Sequence, residues 1–172
     1  MENKNDHLKF LIQRYDNYIS ASNTKGNFLL AFNTLITGGI LSNYEKFKLY
    51  IHYDNGIIWM NILLLLLSVI CVFTIFLVIR AVYPFLKSGN SSINKYHSHI
   101  YFGSVAEFKD IKSFHDSFSS QTNDDVDFDL SNQVFELAKG LKKKFFYLEW
   151  AMRLIYIELI LILLIITIFI IF

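Results

Sequence analysis

Proline is almost absent from this chain of 172 residues: Pro84 is the only one, so nearly every segment is free to be helical. Cysteine is as scarce. Cys71 stands alone, which excludes an intrachain disulfide and leaves the redox compartment unreadable. Net charge is close to nil, +1 from 16 basic and 15 acidic residues, so composition supplies no basic face for a nucleic-acid duplex and implies no polyelectrolyte partner. Catalytic signatures are missing too. There is no Gly-rich phosphate loop, nucleophile elbow or metalloprotease helix motif, and the expectation is a protein that is not an enzyme and needs no cofactor. No cleavable signal peptide is expected, because the first apolar stretch begins only at Phe28 and lacks a small-residue cleavage site.

What the chain has in abundance is apolar length, with 53% hydrophobic residues. The run 57–79 carries no charge, has Trp59 near one end and is closed by Arg80 at the other. At about 1.5 Å per helical residue it spans a hydrocarbon core of roughly 30 Å, with an aromatic anchor at one edge and a cation at the other. A second run, 154–172, is charged only at Glu158. A third, 27–42, is shorter and contains Asn33, Thr34, Thr37, Gly38 and Gly39. Charge placement argues that it also crosses. If it does, residues 1–26 and 80–153 share one side of the membrane and the basic residues divide fourteen to two, which places both in the cytoplasm.

The expected fold is therefore an all-α membrane protein with three transmembrane helices. An amphipathic helix fills 1–26, with Leu8, Leu11, Ile12, Tyr15, Tyr18 and Ile19 at helical spacing. Crossings follow at 27–42 and 57–79, joined by an external loop at 43–56, and 80–153 forms a small helical cytoplasmic domain before the last crossing at 154–172. Inside that domain 87–94 reads as a loop. Phe108, Ile111, Phe114 and Phe118 predict a short helix, and one long helix is predicted from about Val126 to the end.

Several constellations bear on chemistry. Asp125, Asp127 and Asp129 have part of a calcium-loop spacing, but Leu130 stands where such a loop needs glycine; acids gathered at a helix start are the better reading. His97, His99 and His115 lack a well-placed cysteine or carboxylate partner, so no metal is expected. Asn27, Ala31, Thr34 and Gly38 share one helical face, with Asn33 and Thr37 beside it. In lipid such a face must point at protein or water, through close helix packing or as the lining of a pore in an oligomer; Asn27, Thr34, Thr37 and Gly38 are the candidate pore-lining residues. Glu158 reads as an interfacial side chain, free to snorkel or to pair with Arg153 or Lys144. Lys142, Lys143 and Lys144 read as a juxtamembrane anchor for anionic lipid.

Three stretches carry a family resemblance. The run Asn23-Thr24-Lys25-Gly26-Asn27-Phe28-Leu29-Leu30-Ala31-Phe32-Asn33 resembles the first-helix signature of Pycsar-type transmembrane effectors. Ile100-Tyr101-Phe102-Gly103-Ser104-Val105-Ala106 is similar to their aromatic–Gly motif, and Gln133, Leu137 and Ala138, leading through Lys144 into a final crossing, resemble their closing helix. The resemblance implies a bacterial antiphage effector that acts on the inner membrane; apolar runs and charge placement make it multi-pass with its amino terminus cytoplasmic. A partner nucleotide cyclase makes a cyclic pyrimidine mononucleotide on infection; the effector binds it and impairs the membrane, so the infected cell stops before phage mature. The sequence does not separate cyclic UMP from cyclic CMP or from another cyclic nucleotide, and a membrane scaffold that answers to no signal is the alternative.

A cyclic nucleotide needs a cation or backbone N–H groups for its phosphate, and a π-face and amides for its base. Residues expected on the cytoplasmic side offer these: Arg14, Lys25 and Lys142 as cations, Tyr101 and Phe102 for stacking, Asn23 and Gln133 for base edges, and Gly103 for close backbone approach. Gating by such a ligand implies a homo-oligomer with a site on moving elements.

Overall fold

The computed structural model describes residues 2–50, 54–84 and 97–171. They form five helices, with no strand among the described residues: α1 Glu2–Tyr50, α2 Asp54–Val82, α3 Phe102–Val105, α4 Ile111–Ser119 and α5 Asn123–Ile171. The expected loop at 87–94 lies outside the described residues. Two of the helices, α2 and α5, contain windows long and apolar enough to cross a membrane. Only 28% of each window is buried, unlike the core helix of a soluble protein, and the exposed side chains along the middle of α2, among them Leu65, Val69, Val72, Phe73 and Phe76, are apolar. Apolar exposure of this extent suits contact with lipid.

Two expectations change. The amphipathic arm and the polar-rich apolar stretch are not separate elements; α1 runs unbroken through Gly26, because that glycine lies in a helix interior where packing outweighs its low propensity. The connector 43–56 is not a loop for most of its length. It is helical to Tyr50 and again from Asp54, since it contains no proline and Tyr44 and Phe47 of α1 pack on the core formed by α2 and α5.

The chain divides into two compact units, Met1–Ala21 with Pro84–Lys143, and Ser22–Tyr83 with Lys144–Phe172. The second unit is a three-helix packing. On α2 the buried residues Met60, Leu64, Leu67, Cys71, Thr74, Val78 and Ala81 recur at alternating steps of four and three. Leu148, Ala151, Ile155, Glu158, Leu161 and Ile165 recur at steps of three or four on α5, and Ser22, Gly26, Leu29 and Asn33 at steps of four and three on α1. This is the seam of a bundle with shallow crossing angles. It has two apolar layers: one joins Met60, Leu64, Leu67 and Cys71 to Leu161 and Ile165, the other joins Leu29 to Val78, Ala81, Leu148, Ala151 and Ile155. Gly26 belongs to the seam because a Cβ there would stand 2.5 Å from Val82 Cγ2.

In the first unit, α4 and α5 both start on capping boxes. Asp110 accepts from Ser113 N at 2.7 Å while Ser113 Oγ accepts from Asp110 N at 3.2 Å. Asp125 accepts from Thr122 N at 2.9 Å while Thr122 Oγ1 accepts from Asp125 N at 3.3 Å. Phe108, Phe114 and Phe118 gather around the His99 ring at centroid distances of 5.6, 6.3 and 6.3 Å.

Candidate functional site

Polar side chains that an apolar helix cannot leave in lipid converge in the second unit. Asn33 on α1, Thr74 on α2 and Glu158 on α5 are each fully buried. The Asn33 amide donates to both Glu158 carboxyl oxygens, at 3.0 and 2.9 Å, and the Thr74 hydroxyl donates to Oε1 at 2.6 Å. Thr37 donates to the Asn33 carbonyl at 2.9 Å, and the Cys71 thiol lies within hydrogen-bonding reach of Thr37 and Glu158. Each helix thus contributes one polar residue to a single layer. Glu158 neither snorkels nor pairs with a cation: Arg153 pairs with Glu149 one turn earlier, and Lys144 is engaged elsewhere. The Asn33 amide and the Thr74 hydroxyl thus hold the Glu158 carboxyl group inside the seam instead of at an interface.

Lys144 marks the other end of the unit. Its ammonium is buried and donates to the Ala81, Val82 and Tyr83 carbonyls at 2.7, 3.2 and 3.2 Å, and to Asn23 Oδ1 at 2.9 Å. The last carbonyls of α2 have no intrahelical donors, and a cation there also meets the negative end of the helix dipole. Of the three lysines read as a lipid anchor, Lys142 and Lys143 are exposed and Lys144 is a helix cap.

In the first unit the buried Asp129 pins the turn ahead of α3. It accepts from Ser98 Oγ at 2.7 Å and from His99 N at 2.8 Å, while Ser98 Oγ accepts from the Ile100 and Tyr101 amides. The three acids at the start of α5 therefore have separate duties: Asp125 caps, Asp127 pairs with Lys4, and Asp129 holds the 98–101 turn. The Thr122 hydrogen bonds keep the Asp125 carboxyl below the usual carboxylate range. The imidazole of His97 contacts the Ser104 carbonyl, and that of His99 lies between Ser117 and Gln121.

The sequence profile of a family described as "Pycsar effector protein domain" matches residues 7–171. The chain belongs to the Pycsar effector family. It is similar to the Pycsar effector protein EcPycTM of Escherichia coli, 28% identical over 144 residues, which covers 82% of this chain and 77% of that protein. No solved structure matches it.

The residues expected to meet a ligand are distributed unevenly in this Pycsar effector. Arg14, Tyr101, Phe102, Gly103, Gln133 and Lys142 lie in the first unit, Asn23 and Lys25 in the second. Arg14 donates to the Tyr18 hydroxyl at 2.8 Å and its guanidinium lies 5.5 Å from that ring's centroid. Tyr101 is buried and packs 4.8 Å from the Phe102 ring, which is exposed. The Tyr101 ring also occupies the side of Gly103 on which a Cβ would stand, 2.5 Å away. Gln133 is half-buried one turn beyond Asp129, and Lys142 is exposed. Asn23 holds Lys144, whereas Lys25 rims a groove of about 800 Å³ lined by Phe28, Leu29, Phe145, Leu148 and Met152. Of the candidate pore residues, Asn27 and Thr34 are exposed and line a shallow groove of about 530 Å³ with Ala31. Thr37 is half-buried, and a Cβ on Gly38 would meet nothing within 4 Å.

Sequence reasoning missed the Asn33–Thr74–Glu158 layer and the cap by Lys144. A signal for the first was present: each of three apolar segments has a polar residue near its middle or inner third, and polar groups at membrane depth seek one another.

Proposed function

We propose that this Pycsar effector is an antiphage effector of the bacterial inner membrane. It binds a cyclic pyrimidine mononucleotide, cyclic UMP or cyclic CMP, made by a partner cyclase, and in response impairs the membrane. Family membership across residues 7–171 carries the reading. The chain crosses three times, with 27–42 of α1 as the first crossing and the amino terminus in the cytoplasm. The fourteen-to-two division of basic residues supports this topology, as does the burial of Asn33 against Thr74 and Glu158 of the two apolar helices. Copies assemble through the exposed face of Asn27, Thr34 and Gly38, which in lipid needs a polar or closely packed neighbour. The ligand binds the first unit, where the exposed Phe102 ring offers a stacking face and Arg14 and Lys142 offer charge for the phosphate.

The test is expression with the cognate cyclase while membrane potential and dye uptake are followed. Depolarisation that appears only when the cyclase is active is the expected result. An unchanged potential during cyclic nucleotide production defeats the proposal. Binding of cyclic UMP and cyclic CMP to purified protein, measured by calorimetry, separates an effector from a scaffold, which binds neither.

A further inference from the structure

One atom of the buried polar layer has no partner. Asn33 donates through Nδ2 to both oxygens of Glu158, yet its Oδ1, equally buried, accepts nothing. The groups facing Glu158 are Asn33 from α1 and Thr74 and Cys71 from α2, with Thr37 beside them; among the described residues none is a cation. The two basic side chains that precede Glu158 most nearly along α5 are occupied elsewhere, Arg153 on Glu149 and Lys144 on the α2 carbonyls. Read as a carboxylate, the layer holds a full negative charge with no counter-ion inside an apolar seam, together with an orphaned acceptor. Both faults have the same remedy, one additional donor between Glu158 and Asn33.

We propose that Glu158 carries a proton in the assembled bundle and pairs, as a neutral acid, with the Asn33 amide in a closed ring of two hydrogen bonds. A rotation of the amide about its Cβ–Cγ bond turns Nδ2 from its shared position, 3.0 and 2.9 Å from the two oxygens, toward one of them. The acid O–H then donates to Asn33 Oδ1, and Nδ2 donates to the carbonyl oxygen. Thr74 keeps its choice between Glu158 and the Ile70 carbonyl. Every polar atom of the layer is satisfied and no charge remains. The proton comes from water as the helices assemble. Any movement that lets water reach the layer returns it, leaves a carboxylate that must be hydrated, and uncouples α5 from α1 and α2. The site is thus a proton-held clasp at the centre of the seam, independent of which nucleotide the protein senses.

The experiment uses the full chain in phospholipid vesicles without nucleotide. Infrared difference spectra at neutral pH are expected to show a protonated-carboxyl C=O band. The band is expected to vanish in E158Q, whose amide keeps one donor and one acceptor in place and preserves the bundle. Absence of the band in the wild-type protein, or its persistence in E158Q, overturns the proposal. Cys71, the chain's one cysteine and fully buried, reports opening independently. As pH is raised, its labelling by a small thiol reagent should accelerate more in wild type than in E158Q, where no proton can be lost. Equal acceleration in the two proteins also counts against the clasp.

Discussion

Two glycines on α1 show how the same residue type is used for opposite ends. Gly26 faces Val82, Leu148 and Val78, and an added methyl would stand 2.5 Å from the stiff, β-branched Val82. Alanine gains about 0.5–1 kcal/mol of helix propensity at such a position, but overpacking a tight seam costs about 1–3 kcal/mol. Gly26→Val should therefore lower the thermal unfolding midpoint in detergent, and Gly26→Ala should lower it less. Gly38 has open space where its Cβ would be, so Gly38→Ala should be neutral or stabilising by about 0.5–1 kcal/mol in the monomer. The pair is checked in one melting series; a midpoint for Gly26→Val equal to wild type contradicts the close approach.

Among the elements, α2 depends on another helix for its ending. Lys144 supplies the donors its last carbonyls lack, so Lys144→Met, which keeps the length and loses the charge, should destabilise the protein by about 2–3 kcal/mol, the scale of a buried hydrogen-bonded charge. Lys142→Met, at an exposed position, should leave the midpoint within about 0.5 kcal/mol. The start of α5 responds to pH. Asp125 has a folded-state pKa below its unfolded one, so the stability it contributes is complete above the unfolded value near 3.9 and is lost as pH falls through the lower folded value. Amide exchange at the first turn of α5 should accelerate across that acid window, and Thr122→Ala should flatten the pH dependence. The long span of α5 and the short helix of α4 were legible from periodicity and acid placement, because in the first unit one face is apolar and the other polar; α5 starts at Asn123, within a turn of the expected Val126. The continuity of α1 was not, because Asn23–Asn27 has the composition of a turn and only packing makes a helix of it.

At the scale of the whole molecule, the exposed α1 face separates packing within one chain from assembly between chains. Gly38 is exposed and an added Cβ meets nothing within 4 Å, so Gly38→Leu should leave the unfolding midpoint of the purified protein close to that of wild type. If copies meet through that face, the same variant should fail to depolarise cells that contain the active cyclase, and cross-linked oligomers should be lost. Full depolarisation by Gly38→Leu would move the assembly surface away from Asn27, Thr34 and Gly38. For the ligand site, Phe102→Ala removes an exposed ring that closes no core, so a loss of cyclic nucleotide affinity without a change in unfolding midpoint is expected if that ring is the stacking face.

Sequence alone determined the helical class, the two long apolar helices and the family, since each rests on run length, charge placement or an ordered set of motifs. It could not determine which face of α2 is inside. Apart from a few small polar residues such as Thr74, that helix is apolar on every face, and in lipid an outward leucine is as well placed as an inward one, so the leucines carry no contrast that marks the seam. Tertiary structure decided that, and with it the fates of Glu158 and Lys144. A lone charge in a helix has several possible partners in sequence; the one it meets is set by the rotation of three helices about their axes, which the packing of Leu29, Leu67, Val78, Ala151 and their neighbours fixes in space.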